Sequence, residues 1–313
     1  MSKKFAATVL IILLIFSFST AQAATRISIG TGGTGGVYYP IGGGVAEVFN
    51  RYIEGVTARA EVSGASTENC RLVGNNEQQI ALANADAAYF AYHGGREFKQ
   101  PLKILSMFSM YPSNMQIVCP KNSPINSIED LKGKRAAVGP PGGNTFVMTW
   151  SILKANGFKE KDIIPVYQTF TESVGSIKDG AIDAVFILAG YPNSAILDLA
   201  TTRGVKLIPL AKPLIDKVTR EYNFYSDGVV PGGIYKGVDK PTPGIAVMNI
   251  WIVYKDLAES LVYKMVKAIF DQKSYLATVH KKAADMNLTD AVKIPCPMHP
   301  GAIKYFKEVG TLK

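Results

Sequence analysis

The chain contains few of the residues from which catalytic and metal centres are usually built. Its 313 residues include three histidines and three cysteines. Because the cysteines are Cys70, Cys119 and Cys296, an odd number, one disulfide at most can form within the chain, and a disulfide-rich scaffold is excluded. Cys296-x-x-His299 has a metal-like spacing but lacks the second pair that a zinc site needs. HExxH, GxSxG and Walker lysine patterns are also missing, so we predict no catalytic residue, no metal and no cofactor.

Long apolar runs are scarce as well. One apolar run, residues 5–18, stands out, but it is shorter than the roughly 20 residues that a membrane-spanning helix needs. Lys3 and Lys4 precede it and Ala21-Gln22-Ala23 follows it, which is typical of a secretory signal peptide over residues 1–23. We therefore predict an exported, periplasmic protein whose mature chain begins near Ala24. The alternative is that the segment stays in place as an N-terminal anchor.

The positive charge is dispersed along the chain. The net charge is +9, and it falls to +7 if Lys3 and Lys4 are removed with the leader. The densest basic stretch, Lys132-Gly133-Lys134-Arg135, is too short for the basic surface of a nucleic-acid-binding protein. We therefore predict no nucleic-acid partner. A weak positive field attracts small anions, and it serves solubility equally well.

Glycine is abundant where a ligand could approach the backbone. Residues 30–36 read Gly-Thr-Gly-Gly-Thr-Gly-Gly and lie between a predicted strand (25–29) and a predicted helix (41–52). Such a loop lets backbone N–H groups surround an anion at a helix N-terminus. Gly30-x-Gly32-x-x-Gly35 also matches the dinucleotide fingerprint, but Glu54 precedes the next strand and Glu61 lies inside it, so no acidic residue follows that strand as the motif requires. A secreted dinucleotide-dependent oxidoreductase is thus the less favoured alternative.

Strand-like and helix-like segments alternate along the chain, which predicts an α/β fold. The predicted strands are residues 25–29, 58–62, 80–83, 102–110, 115–119, 135–138, 164–167 and 184–188, and the predicted helices are residues 41–52, 67–74, 146–156 and 171–178. From residue 135 onward the order of strand, glycine loop, helix and strand is repeated. With 47% hydrophobic residues, the chain can form two similar lobes, each with its own core.

Several motifs, in this order along the chain, resemble the TAXI family of solute-binding proteins. They are residues 30–33, 37–40, 66–69, 128–135, 181–186, 189–192 and 298–302. The resemblance implies a type II periplasmic binding protein, not an enzyme, with a mostly parallel sheet in each of two lobes. Lobe I is expected at residues 24–115 and 250–313 and lobe II at 116–249, with hinge strands at 115–119 and 246–253.

The same resemblance implies a receptor of a TRAP-type secondary transporter, driven by an ion gradient. Its partners would be the membrane permease subunits and a small carboxylate or amino acid, such as 2-oxoglutarate, glutamate or a C4–C5 dicarboxylate. The chain departs from the usual family sequence at residues 76–81, 83–86 and 139–145, near the expected cleft. The resemblance to the family therefore does not identify the ligand of this chain. A surface interaction antigen without a small ligand is a further alternative.

Ligands in open α/β sheets sit beyond the carboxyl ends of the strands, where helices begin with free N–H groups. The predicted ligand-binding residues are Thr31, Gly32, Gly35, Val37, Tyr38, Ser66, Thr67, Asp86, Gly142, Gly143, Asn144, Thr145, Phe170 and Ala189. We expect the N–H groups at residues 143–145 to hold a carboxylate without an arginine.

Five of these predicted residues have structural alternatives. Ser66 and Thr67 would serve equally as ordinary N-caps of the helix that follows them. Asn144 and Thr145 have the same alternative role. Asp86, in the expected turn after residues 80–83, would either receive an ammonium or hydroxyl group or anchor a loop behind the site.

Overall fold

The computed structural model describes residues 24–313. The predicted signal peptide, residues 1–23, lies outside the described residues. No helix within residues 24–313 combines the length and the apolar character needed to cross a membrane.

The described chain forms ten strands in one sheet. They are β1 (Thr25–Gly30), β2 (Val56–Glu61), β3 (Ile80–Asn84), β4 (Ile104–Pro120), β5 (Arg135–Ala137), β6 (Ile164–Val166), β7 (Ala184–Ala189), β8 (Val205–Leu207), β9 (Tyr225–Val230) and β10 (Thr242–Tyr254). Every residue of β3 and β7 is buried. Such continuous apolar runs are typical of parallel strands covered by helices on both faces.

Eleven α-helices surround the sheet in residues 24–313. They are α1 (Tyr38–Tyr52), α2 (Ser66–Gly74), α3 (Ala85–His93), α4 (Asn144–Ala155), α5 (Phe170–Lys178), α6 (Ser194–Thr202), α7 (Lys212–Glu221), α8 (Glu259–Asp271), α9 (Lys273–Val279), α10 (Leu288–Ala291) and α11 (Pro300–Glu308). Short 3-10 turns lie at Glu129–Leu131, Glu160–Asp162 and Lys281–Asp285.

The sheet has parallel strands at its two ends and antiparallel strands at its centre. The strand order is β2-β1-β3-β10-β4-β7-β5-β6, with β9 paired to β10 and β8 paired to β4. The groups β2-β1-β3 and β7-β5-β6 are parallel, whereas β10 and β4 run antiparallel to each other and to their other neighbours. The predicted fold class, α/β with two mostly parallel halves and strands that cross between them, is confirmed.

The central strand β4 corrects one prediction. Residues 102–110 and 115–119 were expected to be two strands, but β4 is continuous from Ile104 to Pro120. The proline lies beside a register shift, where Met248 pairs with Pro112 and Ile250 with Ser109. An irregular position tolerates the missing N–H of proline. Met110 and Tyr111 therefore lie opposite the single residue Asn249.

Helix α3 corrects a second prediction. The segment after residues 80–83 was expected to be a turn, but an α-helix spans Ala85–His93. Four of its nine residues are alanine, which has the highest helix propensity of all residues, and Ala87, Ala88 and Ala91 are buried. Because Asn84 and Asp86 are residue types common in turns, the sequence pattern indicated a turn here and not a helix. Asp86 consequently lies in the first turn of α3.

Candidate functional site

A cavity of about 270 Å³ lies where strands of both halves end and helices begin. Its walls come from the segments that follow β1, β2, β3, β5, β6 and β7, with a floor from the middle of β4. The lining residues are Gly32, Gly33, Gly36, Val37, Tyr38, Ser63, Gly64, Ala65, Ser66, Asn84, Tyr111, Ser113, Pro140, Gly143, Asn144, Thr145, Thr169, Phe170, Leu188, Ala189 and Gly190. This is the position at which α/β sheets bind ligands.

The structure brings nine of the fourteen predicted site residues together around this cavity. They are Gly32, Val37, Tyr38, Ser66, Gly143, Asn144, Thr145, Phe170 and Ala189. The other five, Thr31, Gly35, Thr67, Asp86 and Gly142, do not line the cavity. Each of these five has a partner within the protein.

Thr31 and Gly35 hold the first glycine loop in place. The Thr31 hydroxyl donates to the Glu61 carbonyl at 2.6 Å and fastens the loop to the end of β2. The carbonyl of Gly35 accepts from the Asn193 side chain at 2.9 Å, and a Cβ at Gly35 would come within 2.6 Å of the Thr171 hydroxyl oxygen. Gly35 therefore packs against the second half of the chain.

Gly142 and Thr67 fasten the neighbouring loop and helix. The Gly142 carbonyl accepts from the Glu68 N–H at 3.3 Å, and the φ of Gly142 is +78°, a conformation that favours glycine. The Thr67 hydroxyl donates to Glu97 Oε1 at 3.2 Å. Both residues support the lining without facing the cavity.

Several lining residues were missed from the sequence. Tyr111 and Ser113 fell in the expected break of β4, so they gave no signal. Asn84 was detectable as a polar residue at the end of a buried strand. Gly33 and Gly36 lie in the glycine loop that was singled out. The remaining missed residues are Ser63, Gly64, Ala65, Pro140, Thr169, Leu188 and Gly190.

Helices α1, α2 and α4 begin at the cavity without a side-chain cap, as does α3, whose N-cap residue Asn84 also lines the cavity. Val37, Ala65 and Gly143 occupy the N-cap positions of α1, α2 and α4, and none of them caps its helix with a side chain. Helix α5 differs, because Thr169 and Glu172 form a reciprocal capping box at its start. Uncapped helix N-termini present free N–H groups and a partial positive charge.

Two predicted capping roles are wrong. Helix α2 begins at Ser66, so its N-cap is Ala65 and not Ser66 or Thr67. Helix α4 begins at Asn144, after Gly143. The Gly143 N–H, which was expected to face a carboxylate, donates instead to the Pro140 carbonyl at 3.1 Å. The N–H groups of Asn144, Thr145 and Phe146, in the first turn of α4, have no protein acceptor.

Ala65 has an unusual backbone conformation. Its φ is +70° and its ψ is −144°, a region that is nearly restricted to glycine. The strained turn places Ala65 on the cavity wall at the start of α2. Strained residues of this kind cluster at ligand-binding sites, where the surrounding structure maintains them.

A chain of buried amides supports the cavity floor. The Ser66 hydroxyl donates to Asn84 Oδ1 at 3.1 Å, and Asn84 Nδ2 donates to Asn249 Oδ1 at 2.9 Å. Asn249 Nδ2 donates in turn to the Tyr111 carbonyl at 2.7 Å, at the irregular position of β4. The Tyr38 hydroxyl also donates to Asn249 Oδ1. Burial raises the pKa of Tyr38, so its hydroxyl remains a neutral donor.

Asp86 is fully buried and has both carboxylate oxygens engaged. Oδ1 accepts from Asn144 Nδ2 at 2.8 Å, while Oδ2 accepts from Arg96 at 3.0 Å and from the Tyr225 hydroxyl at 3.1 Å. Burial first, and then the Asp86 charge, raises the pKa of Tyr225, so that hydroxyl also stays protonated. This geometry is that of an anchor behind the site, one of the two roles considered for Asp86.

The cysteines and histidines lie away from the cavity. All three cysteines are free and buried, and burial raises the pKa of Cys119 to about 12 and that of Cys296 to about 11. Cys296 Sγ lies 2.8 Å from the Ser106 hydroxyl. His299 donates from Nε2 to the Leu257 carbonyl at 3.0 Å and accepts at Nδ1 from the Gly301 N–H. Within residues 24–313 no group of three or more potential metal ligands occurs.

The fold is similar to those of solved bacterial transport proteins. The alkanesulfonate-binding protein SsuA from Xanthomonas axonopodis pv. citri, bound to MOPS, has a TM-score of 0.53 at 15% identity, with 91% of each chain covered. A Streptococcus mutans structure concerned with glutathione import through GshT and the cystine ABC importer TcyBC has a TM-score of 0.52 at 15% identity, covering 83% of this chain and 94% of that chain. At this level of identity the likeness shows the fold.

A putative L-cystine ABC transporter protein from Listeria monocytogenes has a TM-score of 0.50 at 14% identity, covering 82% of this chain and 95% of that chain. The prediction that the chain is not an enzyme is confirmed by its family. Residues 29–310 match the family model described as NMT1-like, and the chain therefore belongs to the NMT1-like family.

Proposed function

We propose that this protein is an exported receptor that captures a small organic anion in the cavity and delivers it to the membrane subunits of a transporter. The observation that carries the proposal is the convergence of four uncapped helix N-termini, those of α1, α2, α3 and α4, on one cavity. Donors that point into a small enclosed space bind an anion without an arginine. A volume of about 270 Å³ suits a small solute.

The proposed division into two lobes would let this receptor close around its ligand. Lobe I comprises residues 24–115 and 250–313 and lobe II comprises residues 116–249, joined by β4 and β10. The cavity is lined from both lobes, and their loops approach each other closely: a Cβ at Gly143 would lie 3.2 Å from the Gly64 carbonyl. Hinge bending of the two long strands would open this contact, and ligand bound to both walls would favour closure.

We propose, in addition, that the transporter is of the TRAP type and that the receptor is a TAXI protein. The motifs from Gly30 to Pro40 and from Met298 to Ala302 support this assignment. In this view the protein works in the periplasm after removal of residues 1–23. Its ligand would be an acid such as 2-oxoglutarate, glutamate or a C4–C5 dicarboxylate.

Ligand screening tests the receptor function. Mature protein is unfolded and refolded to remove co-purified ligand, and its melting is then followed with a panel of small carboxylic acids, sulfonates and amino acids. A ligand at 100 times its Kd should stabilise the fold by about 2.7 kcal/mol and remain chemically unchanged. If no member of the panel raises the melting temperature, the receptor proposal fails and an interaction module is favoured. Stabilisation by NAD or NADP alone would favour the oxidoreductase.

Uptake measurements test the transporter type. Cells that depend on this receptor should stop accumulating the labelled ligand when the ion gradient is collapsed while ATP is maintained. Uptake that continues under these conditions would contradict the TRAP assignment and indicate an ATP-driven system.

A further inference from the structure

The cavity offers donors but no free negative charge. Among the described residues, none that lines the cavity carries a charged side chain. The amide oxygens at its floor are already used, since Asn84 Oδ1 accepts from Ser66 and from Asn144 Nδ2. The Pro140 and Gly33 carbonyls accept from the N–H groups of Gly143 and Gly36. The lining therefore provides for an anion but not for a cation.

Three carboxylates lie behind the lining, and each accepts hydrogen bonds from other groups of the protein. Asp86 accepts from Arg96, Asn144 and Tyr225, as described above. Glu97 pairs with Arg96 at 3.2 Å and accepts from Thr67. Glu68 Oε2 accepts from the Gly64 N–H at 2.6 Å. None of the three lines the cavity.

Arg96 is the residue that keeps Asp86 neutralised. Its guanidinium contacts the Asp86 carboxylate at 3.0 Å, packs over the Phe90 ring at 4.6 Å and lies 3.5 Å from Asn144 Oδ1. The Arg96 side chain is 23% exposed, whereas the Asp86 side chain is fully buried. Asn144 lines the cavity and also contacts Asp86. The net charge of the Asp86–Arg96 pair therefore affects the electrostatic potential at the ligand.

From these contacts we infer that the site selects organic acids that lack an α-ammonium group, and that Arg96 is a specificity-determining residue because it neutralises Asp86. The inference rests on the proposed receptor function and narrows its ligand class. An ammonium group enclosed here would lose its hydration without gaining a carboxylate partner, which is strongly unfavourable. An oxo, hydroxy or unsubstituted acid carries no such penalty.

Matched acid pairs test the inference. Stripped mature protein is titrated calorimetrically with 2-oxoglutarate and L-glutamate, pyruvate and L-alanine, 2-oxoisovalerate and L-valine, and ethanesulfonate and taurine. In each pair that gives binding, the member without the amine should bind at least tenfold more tightly. Equal or tighter binding of the amine-bearing member overturns the inference and leaves the receptor function standing. Binding of none of the eight probes counts against both.

Arginine variants test the role of Arg96. Arg96→Met should reduce the preference for the amine-free acid at least fivefold, because Asp86 then faces Asn144 without its counter-charge. Arg71→Met is the matched control, since Arg71 also packs over a ring, that of Phe98, and bonds to Glu97, but does not contact Asp86. The control should keep the parent preference.

A double variant separates charge from structure. Asp86→Asn combined with Arg96→Met removes both charges and should restore the parent preference if neutralisation is what matters. A preference that is lost in Arg96→Met and remains lost in the double variant would assign Arg96 a structural role and overturn this part of the inference. The double variant also keeps the test available if Arg96→Met alone fails to fold.

Discussion

At the scale of single residues, the site depends on one strained alanine. Ala65 adopts a backbone conformation that glycine favours, and it packs beside the glycine loop: a Cβ at Gly32 would lie 3.3 Å from the Ala65 Cβ. The strain of such a residue is of the order of 1–3 kcal/mol. It is maintained at the cavity wall, where it sets the direction in which α2 begins.

Replacement of Ala65 with glycine should relieve this strain. We expect Ala65→Gly to leave the free energy of unfolding unchanged or to raise it by about 1 kcal/mol, because relief of strain opposes the greater freedom of glycine in the unfolded chain. Ala268→Gly in the interior of α8 should instead cost about 1 kcal/mol. Urea denaturation of both variants makes the comparison. Equal destabilisation of the two would contradict the strained assignment.

Two histidines make stability depend on pH. Burial lowers the pKa of His280 and of His299 below the usual value of about 6.5. His280 accepts at Nδ1 from the Lys282 N–H and donates from Nε2 to the Pro192 carbonyl, so a second ring proton would oppose the Lys282 contact. The unfolded chain therefore binds protons more readily than the native chain as pH falls below about 6.5.

The free energy of unfolding should consequently rise with pH through the window below about 6.5 and then level off. Urea denaturation at pH 5, 6, 7 and 8 measures this dependence. The double variant His280→Gln and His299→Gln should show a flatter dependence between pH 5 and 7, because glutamine does not titrate. An unchanged slope in that variant would show that other groups cause the effect.

At the scale of secondary-structure elements, the start of α4, in the second half, lies against the first half at the cavity. The Gly143 position leaves little room for a side chain, since an added Cβ would lie 3.2 Å from the Gly64 carbonyl and from Pro140. Its own N–H is used within the loop, so the free donors are those of the residues that follow it, Asn144, Thr145 and Phe146. A glycine at this position lets the two loops come together over a ligand.

Gly143→Asp should weaken binding of an acidic ligand at least a hundredfold, because it separates the loops and places a negative charge at the donors. Thr145→Ala should have a smaller effect, of about 1–3 kcal/mol, if its hydroxyl donates to the anion. Gly175→Asp in α5 is the control, because a Cβ there meets no atom within 4 Å. Calorimetry on variants that still melt cooperatively decides the matter, and parent-like affinity in Gly143→Asp would refute the anion site.

Much of this arrangement was predictable from the sequence, and the remainder depends on tertiary contacts. Gly32 and Asn144 were predicted from the glycine loops that precede helices. A glycine loop followed by a helix is a local sequence pattern, and it is this pattern that leaves backbone N–H groups free at the helix N-terminus. Asn249 gave no signal, since it is one amide in an apolar strand and its role depends on the irregular pairing opposite Tyr111. Ala65 gave none either, because no sequence rule places alanine at a positive φ.

At the scale of the whole molecule, the proposed lobes are tied together behind the ligand. Asp86, from lobe I, bonds to Asn144 and Tyr225, both from lobe II. These bonds do not require a ligand. They therefore favour the closed arrangement of the lobes in the free protein. Ligand contacts then have to supply less free energy to close the lobes.

Tyr225→Phe should weaken this tie. We expect a larger radius of gyration in the unliganded variant than in the unliganded parent, and a compaction on ligand addition that is greater than in the parent. Tyr222→Phe, on the neighbouring and less buried ring, is the matched control. X-ray scattering of the stripped proteins measures both changes. An unliganded Tyr225→Phe variant as compact as the parent would contradict the role of the Asp86 bonds in closure.

The pairing of β3 has a consequence for biosynthesis. On one side β3 pairs with β1, but on the other it pairs with β10, and 165 residues separate Asn84 from its partner Asn249. The first three strands thus keep an unpaired edge until β10, at residues 242–254 of 313, has left the ribosome. Such distant pairing slows folding. A nascent chain with this topology stays unfolded longer, which is the state in which a polypeptide can be threaded through a secretion channel.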